Sequence, residues 1–200
     1  MHDRRLTSPA DATAAAWLIE TEVPFDRLVM FGPEFFAAYA RLRFIRDPRS
    51  PCEAEADVDL PDDHRSDLDQ ARRALRTLGR STTTPDRCYF CVWDGWPDVT
   101  LITGWARAAT FPLPSAAVQH RRYALLEGPL DAIESWEDHV GTAPPAYVWP
   151  ADHTWCFASD VDPHWAGIGA SRAALDPLLQ DRELDVVLAD PALPQPTFSS

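Results

Sequence analysis

The segment Cys88–Trp93 is the strongest indication of the fold, because residues that favour a β-strand are followed directly by residues that favour a turn. It reads Cys-Tyr-Phe-Cys-Val-Trp, and aromatic and branched residues of this kind favour strands. The next two residues, Asp94 and Gly95, are typical of a two-residue hairpin turn. We therefore expect a β-hairpin whose second strand covers 99–102, and with it an antiparallel sheet.

Other segments predict the remaining elements. Leu68, Ala71, Leu75 and Leu78 recur at helical spacing and Gly79 follows, so 67–78 is the clearest helix. Shorter helices are predicted at 12–20 and 170–180, and Phe35, Phe36 and Tyr39 also fall at helical spacing. The predicted strands are 39–44, 88–93, 99–102, 121–126, 146–149, 153–161 and 184–188.

The order of these elements indicates the fold class. Hairpins are mixed with one strand–loop–helix–strand unit at the C-terminal end, which favours an α+β fold over a doubly wound sheet. We expect a single domain over 12–190, with a mostly antiparallel mixed sheet and helices on one side. Residues 1–11 are expected to form a flexible tail and the proline-rich residues 191–200 a second tail.

The charge balance limits the partners. The chain carries 31 acidic and 18 basic residues, a net charge of -13. Such a charge repels phosphate backbones and suits a basic protein partner, so nucleic-acid binding is not expected. No apolar run approaches the ~20 residues of a membrane span. We expect a soluble cytoplasmic protein with no membrane association and with reduced thiols.

Two residue types are missing from the chain. It contains no Lys and no Asn, so every cation apart from His is an Arg. High-GC coding bias accounts for this pattern without any functional cause. The absence nevertheless excludes a Schiff-base Lys, a P-loop Lys and a Cys-His-Asn triad.

Cys88 and Cys91 have the C-x-x-C spacing of a metal or redox site. Residues three apart on a strand point to opposite faces, and the pair does not begin a helix. We therefore expect two ordinary buried thiols, and neither a metal site nor a cofactor is predicted.

The segment 160–171 has the strongest pattern of residues that could bind a ligand or act in catalysis. Asp160, Asp162 and His164 share one face of an extended chain, where they could hold a metal or position a water. The favoured alternative is that they satisfy backbone donors at a strand end. Gly167 to Ser171 could likewise form an anion pocket, although a tight turn capped by Ser171 is favoured.

Arginines and tryptophans supply further candidates. Arg41 and Arg43 face one way from their strand and could bind an anion, or could form the solvated face of a sheet. Several of the eight tryptophans fall at strand ends, where they could line a cleft or fill the core. The candidate ligand-binding residues are Arg41, Arg43, Trp149, Trp155, Asp160, Asp162, His164, Trp165 and Ser171.

Three strings carry a resemblance: YARLRFIRDP, TTTPDRCYFCVWDGW and VWPADHTWCFASDVDPHWAGIGAS. With them the chain resembles an uncharacterised family of actinobacterial proteins, over most of its length from Trp17 to Pro191. The resemblance implies no activity, cofactor or catalytic residue.

Two functions from different classes remain open. One is a non-enzymatic, immunity-type or regulatory protein that masks a basic surface of a protein partner. It is favoured by the net charge and by the acidic segment 53–63. The alternative is a small enzyme or ligand-binding protein that uses the segment 149–171.

Overall fold

The computed structural model of the chain describes residues 6–95, 109–113, 121–159 and 161–199. The predicted strand at 99–102 and the candidate residue Asp160 lie outside the described residues. Eight strands form one sheet, and every described strand pair is antiparallel. The predicted α+β class and antiparallel sheet are thereby confirmed.

The strands follow the chain as β1 (Ala38–Arg43), β2 (Cys88–Trp93), β3 (Thr110–Leu113), β4 (Arg121–Gly128), β5 (Tyr147–Pro150), β6 (Trp155–Ala158), β7 (Trp165–Ala170) and β8 (Val186–Ala189). Their order across the sheet is β3-β4-β2-β5-β6-β7-β1-β8. The early strand β1 is therefore inserted between the two last strands, and β8 forms one edge of the sheet.

The α-helices are α1 (Ala16–Ile19), α2 (Phe25–Phe31), α3 (Asp67–Leu78), α4 (Trp136–His139) and α5 (Arg172–Leu179), and four short 3-10 turns accompany them at Thr13–Ala15, Glu55–Asp57, Gly79–Ser81 and Leu130–Ser135. The predicted helix at 67–78 is found with the predicted bounds. The Ser66 side chain accepts a hydrogen bond from the Asp69 backbone N–H and so caps α3.

Both faces of the sheet are covered. One core joins α3 and α5 to side chains such as Phe90, Trp155 and Ile168. The other core joins α1 and α2 to side chains such as Cys91 and Trp149. The prediction of helices on one side therefore holds for the longest helices only. The short helices α1 and α2 cover the second face, because the strands of the sheet carry apolar side chains on both faces.

The C-terminal unit contains a strand where the sequence predicts a loop. Residues 165–170 form β7, which pairs with β6 on one side and β1 on the other. Gly167 and Gly169 lie within this strand. A Cβ atom added to Gly167 would lie 2.0 Å from the backbone oxygen of Met30. Glycine is thus required there because α2 crosses the sheet at close range.

Both terminal segments contact the domain. Thr7 forms an isolated bridge with Glu127 of β4, with backbone hydrogen bonds in both directions. At the other end, the Pro196 carbonyl accepts from the Trp165 indole, and the Ser199 N–H donates to the Glu53 carbonyl. The proline-rich tail therefore lies across the domain surface near β7.

Candidate functional site

Three of the candidate residues meet around Asp47, a carboxylate that no sequence pattern marks as a site residue. Asp47 accepts a bidentate pair of hydrogen bonds from Arg41, at 2.6 and 3.0 Å. Arg43 Nη1 lies 2.9 Å from Asp47 Oδ2, and His164 Nε2 lies 3.1 Å from Oδ1. Arg43 also pairs with Asp185, the residue before β8. We call Arg41, Arg43, Asp47 and His164 the Asp47 cluster.

Burial and charge fix the protonation states in this cluster. Burial raises the pKa of Asp47, but the hydrogen bonds from Arg41, Arg43 and His164 outweigh it and hold that pKa well below its usual range. Burial lowers the pKa of His164, against an opposing effect of Asp47. The imidazole is therefore neutral at pH 7, and its Nε2–H donates to the ionised carboxylate.

The Asp47 cluster is closed over by side chains. Arg41 is 6% exposed and its guanidinium lies 5.3 Å from the centre of the Trp165 ring. The Phe198 ring of the C-terminal tail packs edge-on against His164 at 4.6 Å. With its cations neutralised by Asp47 and Asp185, the cluster is built to hold β1, β7 and the tail together rather than to bind an anion.

The remaining candidates do not share this site. Trp149 packs in the α1/α2 core and Trp155 in the α3/α5 core, on opposite faces of the sheet. Asp162 is exposed and lies 3.5 Å from Arg121. Ser171 accepts from the Ala174 N–H and caps α5, as the favoured interpretation expects. Of the two alternatives for these tryptophans, Trp149 and Trp155 therefore fill the core and do not line a common cleft.

The two cysteines of the C-x-x-C pair enter different cores. Cys88 contributes to the α3/α5 core and Cys91 to the α1/α2 core, and both are buried. Burial raises the pKa of Cys88 to about 12. The expectation of two buried thiols is met. Among the described residues no three His, Cys, Asp or Glu side chains come together as metal ligands.

An open cavity of about 350 Å³ lies where α1 meets the start of β2, among residues that no sequence pattern marks as a site. Its aromatic walls are Trp17, Tyr89 and His153, its cation is Arg87, and Thr13 with three alanines completes the lining. We call it the Trp17–Tyr89 groove. The lining contains one formal charge, that of Arg87, and no carboxylate.

The turn after β5 holds His153 in an unusual conformation. His153 has φ +53°, and it is the one described residue other than glycine with a positive φ. Such a conformation costs about 1–2 kcal/mol and is retained only where the surroundings impose it. Its N–H donates to the Pro150 carbonyl, and its ring stacks on Trp17 at 4.4 Å.

Asp152 fixes this turn from behind. Its carboxylate accepts from Thr82, Thr83 and Thr154, including three bonds of 2.7 to 2.9 Å on Oδ2. Burial raises the pKa of Asp152, but these hydrogen bonds outweigh it and lower that pKa to about 2. The carboxylate next to His153 is thereby saturated with donors by the three threonines.

The free edge of β8 is a different kind of feature. The Arg43 N–H donates to the Asp185 carbonyl. Because successive residues of a strand alternate, this bond fixes which residues of β8 hydrogen-bond with β1 and which point outward. Val187 and Ala189 therefore bond with β1, whereas the N–H and C=O groups of Val186 and Leu188 point away from the sheet. Within the described residues, no backbone group bonds with these outward groups.

Exposed apolar side chains lie in β8 and near its C-terminal end. Phe35 is 57% exposed, Leu188 47% and Leu193 61%. Phe35 and the end of β8 border an open cavity of about 390 Å³. The opposite edge strand, β3, is interrupted by Pro112, a residue that prevents strand addition. Strand β8 contains no proline and no cation, so it is the edge that can accept another strand.

The acidic segment predicted at 53–63 is a surface loop. Glu53 is tied to Arg46, but five carboxylates are exposed and make no ion pair with any described residue: Glu55, Asp57, Asp59, Asp62 and Asp63. Leu60, in their midst, is 48% exposed. The loop therefore offers negative charge to a partner.

No helix in the described part of the chain has the length and apolar character needed to cross a membrane. Comparisons with protein-family models, with curated proteins and with solved structures give no match. The resemblance to an actinobacterial family therefore stays an expectation.

Proposed function

We propose that the chain is a non-catalytic binding protein that accepts an extended segment of a basic protein partner along β8. The observation that carries the proposal is the open edge of β8, where the outward backbone groups of Val186 and Leu188 lie beside exposed apolar side chains. Backbone hydrogen bonds supply affinity in strand addition, and flanking side chains supply specificity. Exposed apolar groups gathered in one region are typical of an interaction surface.

Charge identifies the occupant as a basic segment and argues against a second copy. In an antiparallel pairing of two β8 strands that joins the outward groups of Val186 in one copy to those of Leu188 in the other, Asp185 of each copy would lie at the same end of the pair as Asp190 of the other, and their negative charges would repel each other. Two copies with a net charge of -13 also repel each other over longer distances.

The groups that could catalyse a reaction are committed to the fold. His164 and Asp47, the one His–Asp pair described at hydrogen-bond distance, are enclosed by Arg41, Trp165 and Phe198. A role in binding is therefore better supported than a role in catalysis. An immunity-type or regulatory function, in which the chain masks a basic surface, fits this reading. The proposed compartment is the cytoplasm, where the four free cysteines would stay reduced.

The experiment is affinity capture from the organism that encodes the chain, with wild type and two variants as bait. Leu188→Pro removes one outward N–H, and proline is tolerated on an edge strand whose N–H faces away from the sheet. Leu60→Ala is the matched control, because it removes a leucine of equal exposure (48% against 47%) from the acidic loop. Each bait is first checked for cooperative thermal unfolding.

We expect one basic protein to be retained by wild type and by Leu60→Ala, but not by Leu188→Pro. Its affinity for the purified chain should fall steeply with added salt, since the charges on both proteins are exposed. Equal retention by Leu188→Pro, or direct binding that does not respond to salt, would contradict the proposal. Failure to retain any protein, with all three baits folded, would also count against it.

A further inference from the structure

We propose that the Trp17–Tyr89 groove is a binding site for a small aromatic carboxylate, independent of the β8 edge. The groove is a cavity of about 350 Å³, within the range of small-molecule sites.

Aromatic contacts determine the body of the ligand. Tyr89 and Trp17 line the groove, and both pack against the buried Trp149 behind it, Tyr89 by stacking at 5.5 Å and Trp17 edge-on at 5.5 Å. The buried indole N–H groups of Trp17 and Trp149 have no acceptor among the described residues. A flat apolar ring packs well against aromatic side chains of this kind.

Charge determines the ligand's polar group. Arg87 is the only formal charge in the lining, and its guanidinium lies 5.9 Å from the centre of the Tyr89 ring. Its Nε donates to Oε1 of Glu127, which lies outside the lining, at 2.9 Å, and unlike the arginines of the Asp47 cluster the Arg87 side chain is exposed. A guanidinium in this position binds a carboxylate through charge-assisted hydrogen bonds. The whole chain has a net charge of -13, whereas the lining of the groove contains one positive charge and no carboxylate.

The turn behind the groove is built to hold its shape. His153 keeps its positive φ because the Asp152 carboxylate is bonded to the three threonines and the Pro150 carbonyl accepts from His153. Strained residues supported by a hydrogen-bonded second layer are a feature of preorganised sites. The same bonds direct the Asp152 charge to those threonine donors, and Asp152 is not part of the lining.

The test uses benzoate and indole-3-acetate as probes, with benzamide and indole-3-acetamide as their neutral counterparts. Binding to the full chain is measured by ligand-observed NMR and calorimetry at up to ~10 mM probe. Arg87→Gln removes the cation at an exposed position, and Arg182→Gln is the control at another exposed arginine. Ala14→Phe fills the groove and leaves Arg87 in place.

We expect saturable binding of at least one carboxylate. Its amide should bind with an affinity at least about tenfold lower. Arg87→Gln and Ala14→Phe should both lose the binding, and Arg182→Gln should retain it. The wild-type comparison of acid with amide remains decisive if a variant fails to fold. Absence of saturable binding, equal binding of the amide, or unchanged binding by Arg87→Gln would overturn the proposal. None of these results depends on β8, so the protein-partner proposal is tested separately.

Discussion

The Nε2 atom of His164 lies 3.1 Å from Oδ1 of Asp47, although 117 residues separate them in the chain. The same carboxylate binds Arg41 and Arg43, so one acidic side chain joins two neighbouring strands and the loop that follows β1. This contact makes Asp47 central to the stability of the domain rather than to a reaction.

Replacement of Asp47 by Asn should destabilise the domain strongly. It leaves the buried guanidinium of Arg41 without its counter-ion, and breaking such a pair typically costs about 3 kcal/mol. Asp185→Asn removes the other partner of Arg43 at an exposed site and should cost less than about 1 kcal/mol. The free energies of unfolding in urea provide the comparison. Equal effects of the two substitutions would show that burial of the pair is unimportant.

Acidification should reduce stability in two steps. Because burial lowers the pKa of folded His164 below 6.5, the unfolded chain takes up this proton more readily, and the free energy of unfolding decreases as the pH falls below about 6.5. Asp47 adds a second loss below about pH 4, where the unfolded carboxyl becomes protonated first.

His164→Gln keeps a donor for Asp47 but cannot titrate, so it should lose less stability than wild type between pH 7.5 and 5.5. Denaturant unfolding at both pH values measures this difference. His153, whose pKa is also lowered by burial, contributes a remaining loss of the same sign in both proteins. A larger loss in the variant than in wild type would contradict the assignment.

The two glycines of β7 should differ in their tolerance of alanine. A Cβ at Gly167 meets the backbone of α2, which cannot move away, and we expect Gly167→Ala to cost about 3 kcal/mol. A Cβ at Gly169 meets the Phe36 ring at 2.3 Å, and a side chain at the partly exposed end of the sheet can shift. Gly169→Ala should therefore cost about 1 kcal/mol in thermal or urea unfolding. The reverse order would show that the contact with α2 is not limiting.

The four thiols should fall into two classes. Cys52 is exposed, whereas Cys88, Cys91 and Cys156 are buried and burial raises the pKa of all three. A thiol-reactive dye should therefore modify one cysteine in the native protein and the other three only in denaturant. Rapid reaction of two or more thiols in the native protein would indicate that a core opens readily.

The elements best predicted from sequence are those specified by local signals. Helix α3 has a serine cap, a regular apolar stripe and a following glycine, all within fourteen residues. Strand β7 lacks such signals because Gly167 and Gly169 are poor strand formers. Its conformation depends instead on two partner strands and on the close approach of α2. Strand β3 was missed for a similar reason, since Pro112 is compatible with a strand only at a sheet edge.

The site depends still more on distant contacts. The common face of Arg41 and Arg43 follows from strand alternation and was predicted. Their joint partner Asp47 and the approach of His164 depend on the β1–β7 pairing, which no local pattern reveals. Trp149 and Trp155 lie on opposite faces because of the number of residues in the turn between β5 and β6, and local sequence does not show that geometry.

Strand addition at β8 can be followed by backbone amide exchange in that strand. In the free protein the outward amides of Val186 and Leu188 should exchange rapidly, and the Val187 amide, bonded to β1, should exchange slowly. Saturation with the captured partner should slow exchange at Val186 and Leu188 by about tenfold or more, because the added strand accepts their hydrogen bonds. Unchanged exchange of both amides in the saturated complex would contradict strand addition at β8.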